Sequence, residues 1–248
     1  MTTAVVYVHV CGVNADADAT TQNSAVYARC AERFVRTYRQ FDPGCGHELM
    51  VVFANPEMAD ADYLSELYRG CHARFTAYHG TGWCSGAHQH AARTLARATS
   101  FAVCLSARTH FWKAGWLARL VSARERHGAG FYGTMSSDEA SRHLRTNCYG
   151  LDPRVLAEWP HPLDRREATW ELEHGEWNLS RKFHEEDRPS KLVTWSGEWD
   201  YADWRRPDNI FRRGDQSGCL VWDRHTDAYQ DADGEGKRRL EDLAEGRG

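Results

Sequence analysis

Short apolar runs and longer amphipathic stretches alternate through the first half of the chain. Residues 4–13, AVVYVHVCGV, are rich in β-branched side chains and apolar on both faces, which predicts a central strand of a parallel sheet. The following segment, VYARCAERFVRTYRQF, repeats apolar side chains near helical spacing at Val26, Cys30 and Phe34. The turn residues DPGCG end that helix, and HELMVVFAN predicts a second strand.

The alternation continues with two further strands, ARFTAY and SFAVCL, each followed by a helical pattern, GAHQHAARTLARA and KAGWLARLVSARERHG. Strands separated by helices of this length predict βαβ units and a parallel sheet covered by helices on both faces. Such sheets bind their ligands at the carboxyl ends of the strands. The segment CLSART, residues 104–109, follows a buried strand and is therefore a candidate site.

The second half of the chain holds seven of the ten tryptophans. LDPRVLAEWP predicts a helix that Asp152 caps and that begins with Pro153, and a later helical pattern is interrupted near Gly175. Residues 231–248 are polar, charged and poor in apolar side chains, which predicts a disordered tail. The sequence therefore predicts one domain over residues 1–230, followed by that tail.

The charge balance narrows the classes of partner. The chain has 31 basic and 35 acidic residues and a net charge of -4, so it lacks the basic excess typical of nucleic-acid-binding proteins. Its eight cysteines form no CxxC pair, which favours reduced thiols. MTTAVVYVHV has no basic segment and too short an apolar run for a signal peptide or a transmembrane helix. We expect a cytoplasmic protein for which nucleic acid is not a principal partner.

Four stretches carry a family resemblance: GTGWCSGAHQHAARTLA (80–96), FWKAGWLARLV (111–121), HLRTNCYGLDPRVLAEWP (143–160) and NIFRRGDQSGCLVWDRHTD (209–227). With ELEHGEWNLSR, they resemble small bacterial and phage glycosyltransferase-like proteins with the GT-A fold, the fold of glycosyltransferase family 2. The resemblance implies an α/β, Rossmann-like fold with a mostly parallel central sheet flanked by helices. It also implies a nucleotide-sugar donor and an acceptor with a hydroxyl group.

The candidate site departs from this family. In GT-A enzymes the strand before the GWL-type helix ends in Asp-x-Asp, whose carboxylates hold a divalent cation against the donor diphosphate. Ser106, Ala107 and Arg108 stand at those positions here. Arg108 offers a permanent positive charge and a planar fork of donors suited to phosphate oxygens. We predict metal-independent transfer in which Arg108 stabilises the leaving diphosphate and Ser106 contacts the donor. The alternative is that Arg108 is a solvated loop residue.

An inverting transferase needs a carboxylate that takes the proton of the acceptor hydroxyl. ELEHGEW supplies several acidic side chains in one run. The family resemblance implies a base at the start of a helix in this region, which indicates Glu173, with Glu176 in reserve. The alternative is an amphipathic helix with an ordinary charged face.

Further donor contacts are predicted at two places. Asn14 and Asp16 follow the first strand, where they would meet the base or ribose of the donor, whereas the nearby Asp18 fits a plain loop equally well. His88 and Gln89 open a helix that faces the same strand ends, after a glycine-rich stretch that permits close approach of the backbone.

RRGDQS and DRHTD bring a third group of polar side chains. Arg212 and Arg213 are expected to contact the donor phosphates, and Asp215 to order a phosphate or bind a metal. Asp215 or His225 would retain a divalent cation if the protein binds one, so a requirement for Mn²⁺ or Mg²⁺ stays open. The alternative is a salt-bridged turn followed by a strand at CLVW.

Three tryptophans, in TWSGEWDYADWRRP, are candidates for an acceptor platform. Trp195, Trp199 and Trp204 would present apolar ring faces to the C–H groups of a sugar. The alternative is ordinary core packing, since tryptophan buries a large area.

The sequence therefore predicts a glycosyltransferase that moves a sugar from a nucleotide-sugar donor to a hydroxyl group of a glycan, a protein or a modified base. The competing hypothesis is a catalytically degenerate GT-A-like module that binds a sugar nucleotide or a protein partner. The missing Asp-x-Asp pair supports that second hypothesis. A nucleotidyltransferase is less favoured, because no glycine-rich, lysine-containing signature occurs near the amino terminus.

Overall fold

The computed structural model describes residues 1–11, 24–176, 178–205 and 210–248. The strands in these ranges are β1 (Thr3–Val10), β2 (Glu48–Ala54), β3 (Ala73–Tyr78), β4 (Phe101–Leu105), β5 (Phe131–Gly133), β6 (Ser136–Ser137), β7 (His143–Leu144), β8 (Cys148–Leu151), β9 (Ser190–Val193) and β10 (Glu198–Trp199). The helices are α1 (Ser24–Gln40), α2 (Ala61–Leu67), α3 (Trp83–Leu95), α4 (Trp116–His127), α5 (Pro153–Ala157), α6 (Arg166–Glu173), α7 (Leu179–Glu185), α8 (Arg224–Asp231) and α9 (Gly234–Ala244). None of the helices in these ranges is long and apolar enough to cross a membrane.

Eight strands form one sheet in the order β10-β9-β5-β8-β4-β1-β2-β3. β1 pairs in parallel with β2 and β4, and β2 pairs in parallel with β3, as the alternating pattern predicts. β8 runs antiparallel to both of its neighbours, β4 and β5. The predicted α/β fold class, with a mostly parallel central sheet flanked by helices, is therefore confirmed.

Both faces of the sheet are buried, which explains why β1 is apolar on both of its faces. Val6 and Val8 pack in one core with side chains of α3, whereas Val5 and Tyr7 pack in a second core with side chains of α1 and α4. Tyr7 stacks on Phe34 of α1, with the two ring centroids 3.6 Å apart. A central strand between two helical layers needs this continuous apolar sequence.

Two sequence signals in the second half agree with the structure. The Asp152 side chain accepts a hydrogen bond from the Arg154 N–H at 3.0 Å and caps α5. The predicted interruption near Gly175 is the gap between α6, which ends at Glu173, and α7, which Asn178 caps. Both predictions are confirmed.

The prediction of a disordered tail over residues 231–248 is wrong for most of that segment. Gly234–Ala244 form α9, which Asp233 caps. Ala244 is fully buried, and its carbonyl accepts a hydrogen bond from the Asp138 N–H at 2.7 Å. Few apolar side chains are enough to order this helix because α9 packs on neighbouring elements of the folded protein. The packed structure therefore continues past residue 230.

Candidate active site

The candidate site lies at the carboxyl edge of the sheet, where three separate segments meet. The Ser106 N–H, just after β4, donates to the Asn147 carbonyl at 2.8 Å. Because β8 is antiparallel to β4, the residues that precede β8 lie at the edge where β4 ends. His110 and Trp222 exchange two backbone hydrogen bonds of 2.9 and 3.0 Å, which brings the segment 222–225 to this edge.

The positions that correspond to Asp-x-Asp carry one cation and no carboxylate. The Ser106 hydroxyl lies 3.1 Å from the Thr109 hydroxyl, and Ala107 is buried. The Arg108 guanidinium lies over the Tyr27 ring, 4.9 Å from its centroid. The Arg108 side chain is partly exposed, so an anion that reaches the edge can contact it.

Four arginine side chains from separate segments converge at this edge. They form the arginine cluster: Arg108, Arg145, Arg212 and Arg224. Arg145 and Arg212 both lie over the Phe211 ring, at 4.7 and 4.9 Å from its centroid. Arg224 Nε donates to His225 Nε2 at 3.2 Å, and an Arg212 Nη atom lies 3.4 Å from Nδ1 of the same ring.

The positive charges in this cluster act on one another. Partial burial and the charge of Arg108 lower the pKa of Arg224. Burial and the charge of Arg145 lower the pKa of Arg212, and the same two causes lower the pKa of His225 to about 3. His225 is therefore neutral at neutral pH and has one acceptor nitrogen for its two arginine neighbours.

The arginine cluster has more hydrogen-bond donors than acceptors. The Nε atoms of Arg145 and Arg212 are buried and have no hydrogen-bond partner in the part of the chain that is described. Arg212 forms an ion pair with Glu139 at 3.4 Å, but the Asp223 carboxylate caps α8. Guanidinium groups with unpaired donors bind phosphate oxygens well. The cluster is therefore suited to an anion with several oxygens.

The end of α6 places a carboxylate at the same edge. Thr146 donates to Glu173 twice, from its N–H to Oε1 at 3.2 Å and from its hydroxyl to Oε2 at 2.8 Å. His143 Nε2 lies 3.6 Å from Glu173 Oε1, and His174 Nε2 lies 4.0 Å from Oε2. We call His143, Glu173 and His174 the Glu173 cluster.

Arg145 connects the two clusters electrostatically. Burial by itself would raise the pKa of Glu173, but the positive charge of Arg145 and the hydrogen bond from the Thr146 side chain lower this pKa overall. Burial lowers the pKa of His143 to about 4. The Glu173 carboxylate is therefore ionised at neutral pH, next to a neutral imidazole.

A cleft of about 1100 Å³ opens beside the Glu173 cluster. His174 lies on its wall, together with Trp170, whose residue surface is 51% exposed. Glu176, the reserve base predicted from the sequence, is exposed on the same wall, whereas Glu173 is the carboxylate that Thr146 holds at the sheet edge. Exposed aromatic faces beside charged side chains suit a sugar or a similar polar ligand.

His88 and Gln89 are predicted donor contacts, but the structure gives them partners inside the protein. His88 is fully buried in α3, with Nδ1 3.1 Å from the Tyr149 hydroxyl and Nε2 3.1 Å from the Leu105 carbonyl. Gln89 Oε1 accepts from the Leu163 N–H at 3.0 Å. Both side chains therefore hold the protein together, and a donor role does not agree with their placement.

Three predicted contacts lie in the C-terminal region. A guanidinium nitrogen of Arg213 lies 3.9 Å from Glu245, at the end of α9. Asp215 is exposed in a turn and accepts from the Ser217 N–H at 2.9 Å. His225 is surrounded by the arginine cluster, where like charge repels a metal ion, so a metal role for His225 does not agree with this geometry. The predicted roles of Arg213 and Asp215 stay predictions.

The predicted tryptophan platform is not present as one surface. Trp204 is fully buried and donates from Nε1 to the Trp199 carbonyl at 3.1 Å, so its role is core packing. Trp199 Nε1 donates to the Thr194 hydroxyl at 3.1 Å. Trp195 is partly buried, and the Lys113 ammonium lies 4.4 Å from its ring centroid. The exposed tryptophan of the cleft, at position 170, was not among these candidates.

Asn14 and Asp16, the predicted contacts to the base or ribose, lie outside the described residues. Four residues of the two clusters were not predicted: Arg145, Arg224, His143 and His174. Arg145 precedes β8, and Arg224 follows a segment that bridges to His110. A prediction of antiparallel pairing for these two segments would have placed both arginines at the edge.

Comparisons with known proteins concern the fold. No family model and no curated protein sequence matches the chain. The 4-diphosphocytidyl-2C-methyl-D-erythritol synthase of Anaerococcus prevotii is 10% identical, with 77% of this chain and 87% of that chain covered and a TM-score of 0.47. The mannosyltransferase PcManGT of Pyrobaculum calidifontis, solved with GDP-Man and Mn²⁺, is 13% identical over 65% of this chain and 48% of that chain, with a TM-score of 0.42. These similarities assign no activity to this chain.

Proposed function

We propose that this protein is a glycosyltransferase that moves a sugar from a nucleotide-sugar donor to a hydroxyl acceptor, with inversion at the anomeric carbon. The observation that carries the proposal is the arginine cluster. It lies at the carboxyl edge of the sheet, where parallel sheets bind their ligands, and it includes buried guanidinium donors without partners among the described residues. A diphosphate supplies the oxygens that such donors need. In this proposal, arginine takes the place of the Asp-x-Asp metal.

The chemical step leaves negative charge on the donor diphosphate. The bond between the anomeric carbon and the diphosphate oxygen breaks, and its electron pair stays on that oxygen. Fixed cations that are already in place stabilise this charge as it develops. Arg224 is exposed and Arg108 is partly exposed next to the end of β4, so we assign these two arginines to the phosphate oxygens. Arg212 is buried beside them and adds positive charge.

Glu173 is the proposed proton acceptor. The acceptor hydroxyl oxygen attacks the anomeric carbon, and its proton passes to a Glu173 carboxylate oxygen. Two hydrogen bonds from Thr146 fix the orientation of this carboxylate, and the lowered pKa of Glu173 keeps it ionised before the step. The cleft beside His174 offers room for the acceptor. Attack from the side opposite the leaving diphosphate accounts for inversion.

The test of the donor site is calorimetric titration with nucleoside diphosphates and their sugars in the presence of EDTA. Arg108→Gln/Arg224→Gln should weaken the best ligand about 100-fold, because each lost charge-assisted hydrogen bond contributes about 1.5 kcal/mol or more. Arg126→Gln is the matched control, since Arg126 is an exposed arginine that pairs with Glu198. Equal affinity in the double variant and the control would contradict the proposal.

A second candidate, a non-catalytic module that binds a sugar nucleotide, is favoured by the lack of a carboxylate at Ser106, Ala107 and Arg108. The two candidates differ in donor turnover. A transferase, supplied with an acceptor, releases the nucleoside diphosphate and forms a glycosylated product. A binding module holds the same donor through the same arginines and releases no diphosphate above the rate of spontaneous hydrolysis.

A further inference from the structure

The tautomer of His143 is fixed by its surroundings. His143 is fully buried, and its Nδ1 lies 2.7 Å from the Ser141 carbonyl oxygen. A carbonyl oxygen only accepts, so Nδ1 carries a hydrogen, and in the neutral form of the ring, the form that binds a metal, Nε2 carries a lone pair. Nε2 is buried and has no hydrogen-bond partner among the described residues.

This lone pair faces other acceptor atoms. Nε2 of His143 lies 3.6 Å from Glu173 Oε1, and an ionised carboxylate is also an acceptor only. His174 adds a third group, because its Nε2 lies 4.0 Å from Glu173 Oε2 and its buried Nδ1 has no partner among the described residues. Acceptors that face one another in a buried site repel unless a proton or a metal ion lies between them.

We propose that His143, Glu173 and His174 bind one divalent first-row transition-metal ion, for which Zn²⁺ and Co²⁺ are the probes. One ligand atom from each residue lies within 4.8 Å of the other two. Two imidazoles and one carboxylate form a ligand set that zinc uses in proteins, whereas Mg²⁺ prefers oxygen ligands. Zinc bonds of about 2.0 to 2.2 Å need these atoms slightly closer, which small side-chain rotations achieve.

Neighbouring groups already orient the proposed ligands. The Ser141 carbonyl holds the His143 ring, and Thr146 holds both carboxylate oxygens of Glu173. The Ser141 hydroxyl donates to the His174 carbonyl at 2.8 Å, which fixes the backbone at that ligand. Metal sites rely on this kind of outer hydrogen bonding. His174 lies on the wall of the cleft, so an ion can reach the cluster from solvent.

The charge of Arg145 acts against this site. Its positive charge interacts with Glu173 and would weaken the attraction for a second cation. Three ligands with one nearby cation therefore predict a site of moderate affinity. The inference goes beyond the proposed function, because metal binding needs neither donor nor acceptor. A carboxylate has about four lone-pair positions, so ligation through one Glu173 oxygen leaves the other oxygen able to accept a proton.

The test uses tag-free, EDTA-treated and desalted protein without nucleotide or sugar. Co²⁺ is titrated in and followed by its visible ligand-field absorption, and Zn²⁺ binding is measured by calorimetry. The expected result is one saturable equivalent. Glu173→Gln and His174→Ala should each weaken Zn²⁺ binding at least about tenfold and reduce the Co²⁺ band. The matched controls are Glu176→Gln, a neighbouring exposed carboxylate, and His79→Ala, an exposed histidine that faces Glu57.

The melting temperature of each metal-free variant shows whether it is folded. Glu173→Gln keeps the shape of the side chain, so it decides the question if His174→Ala does not fold. Absence of saturable binding by the wild-type protein would overturn the proposal, and so would wild-type affinity in folded Glu173→Gln. Failure of glycosyl transfer has no bearing on this result, because no donor is present.

Discussion

The arginine cluster and the Glu173 cluster lie at the same edge of the sheet and have opposite character. In the arginine cluster, guanidinium donors outnumber acceptors, and buried Nε atoms of Arg145 and Arg212 are left without partners among the described residues. In the Glu173 cluster, acceptors outnumber donors, and the His143 Nε2 lone pair faces a carboxylate. The first imbalance favours an anion and the second favours a cation or a proton. Because both clusters lie on one edge, their unpaired donors and acceptors together indicate a site that handles opposite charges.

This separation of charge matches the needs of a displacement reaction. The leaving diphosphate gains negative charge, and the attacking hydroxyl loses a proton. Cations on one side and a carboxylate on the other serve these two needs. Arg145 acts on both sides, since its charge lowers the pKa of Arg212 and the pKa of Glu173.

The largest expected effect is on the rate of transfer. Glu173→Gln should lower the single-turnover rate by about 10²- to 10⁴-fold, because an amide cannot accept the proton of the acceptor hydroxyl. Affinity for the nucleoside diphosphate should stay near that of the wild-type protein, because the arginine cluster is intact. The two measurements are rapid-quench transfer and calorimetric titration.

Glu176→Gln is the control for this experiment, because it changes an exposed carboxylate three residues away. Its transfer rate should remain close to that of the wild-type protein. A normal rate in Glu173→Gln, or a loss of rate confined to Glu176→Gln, would mean that the proton acceptor lies outside the Glu173 cluster. The two clusters would then not serve the two halves of the reaction.

A smaller effect is expected on acid stability, through the arginine cluster. The pKa of His225 falls from 6.5 to about 3 because of burial and then the charge of Arg145. The unfolded chain binds this proton more readily than the folded protein, so stability is present above about pH 6.5 and is lost as the pH falls toward 3. His225→Gln removes this titration, so between pH 6.5 and pH 4 the variant should lose about 3 kcal/mol less free energy of unfolding than the wild-type protein.

Urea unfolding at several pH values measures this difference. His79→Ala is the control, since His79 is exposed and should leave the acid-induced loss unchanged. An equal loss in His225→Gln and the wild-type protein would mean that protonation of His225 is not opposed by the neighbouring arginines, and the electrostatic description of that cluster would be wrong.

Local sequence patterns predicted the strand and the helix boundary that position this site. The apolar run at residues 101–105 and the helical pattern after it indicated that a strand ends shortly before Arg108, and β4 ends at Leu105. The interruption near Gly175 was predicted correctly, but Glu173, expected at the start of a helix, is the last residue of α6. These features depend on residues that are close in sequence, so a single sequence contains the information.

The partners of Arg108 and Glu173 depend on contacts between distant segments. Arg145 reaches the edge because β8 is antiparallel to β4, and no local pattern states that direction. His88 and Trp204 were predicted to contact ligands because both residue types suit ligand binding. Both side chains are instead fully buried, with partners inside the protein. Residue type identifies possible chemistry, whereas burial and partners decide which residues can reach a ligand.

The smallest predicted effect separates the two clusters most directly, because one substitution should change them in opposite directions. Arg145→Gln removes a positive charge that both clusters share. Nucleoside diphosphate affinity should fall about tenfold, as expected for loss of one charge near an anion, while Zn²⁺ affinity should rise by a similar factor because repulsion of the cation is relieved. Arg126→Gln, an exposed arginine paired with Glu198, should change neither. Local unfolding at the edge would weaken both ligands, so a fall in both affinities would contradict the electrostatic assignment, and opposite changes would establish that charge at position 145 divides an anion site from a cation site.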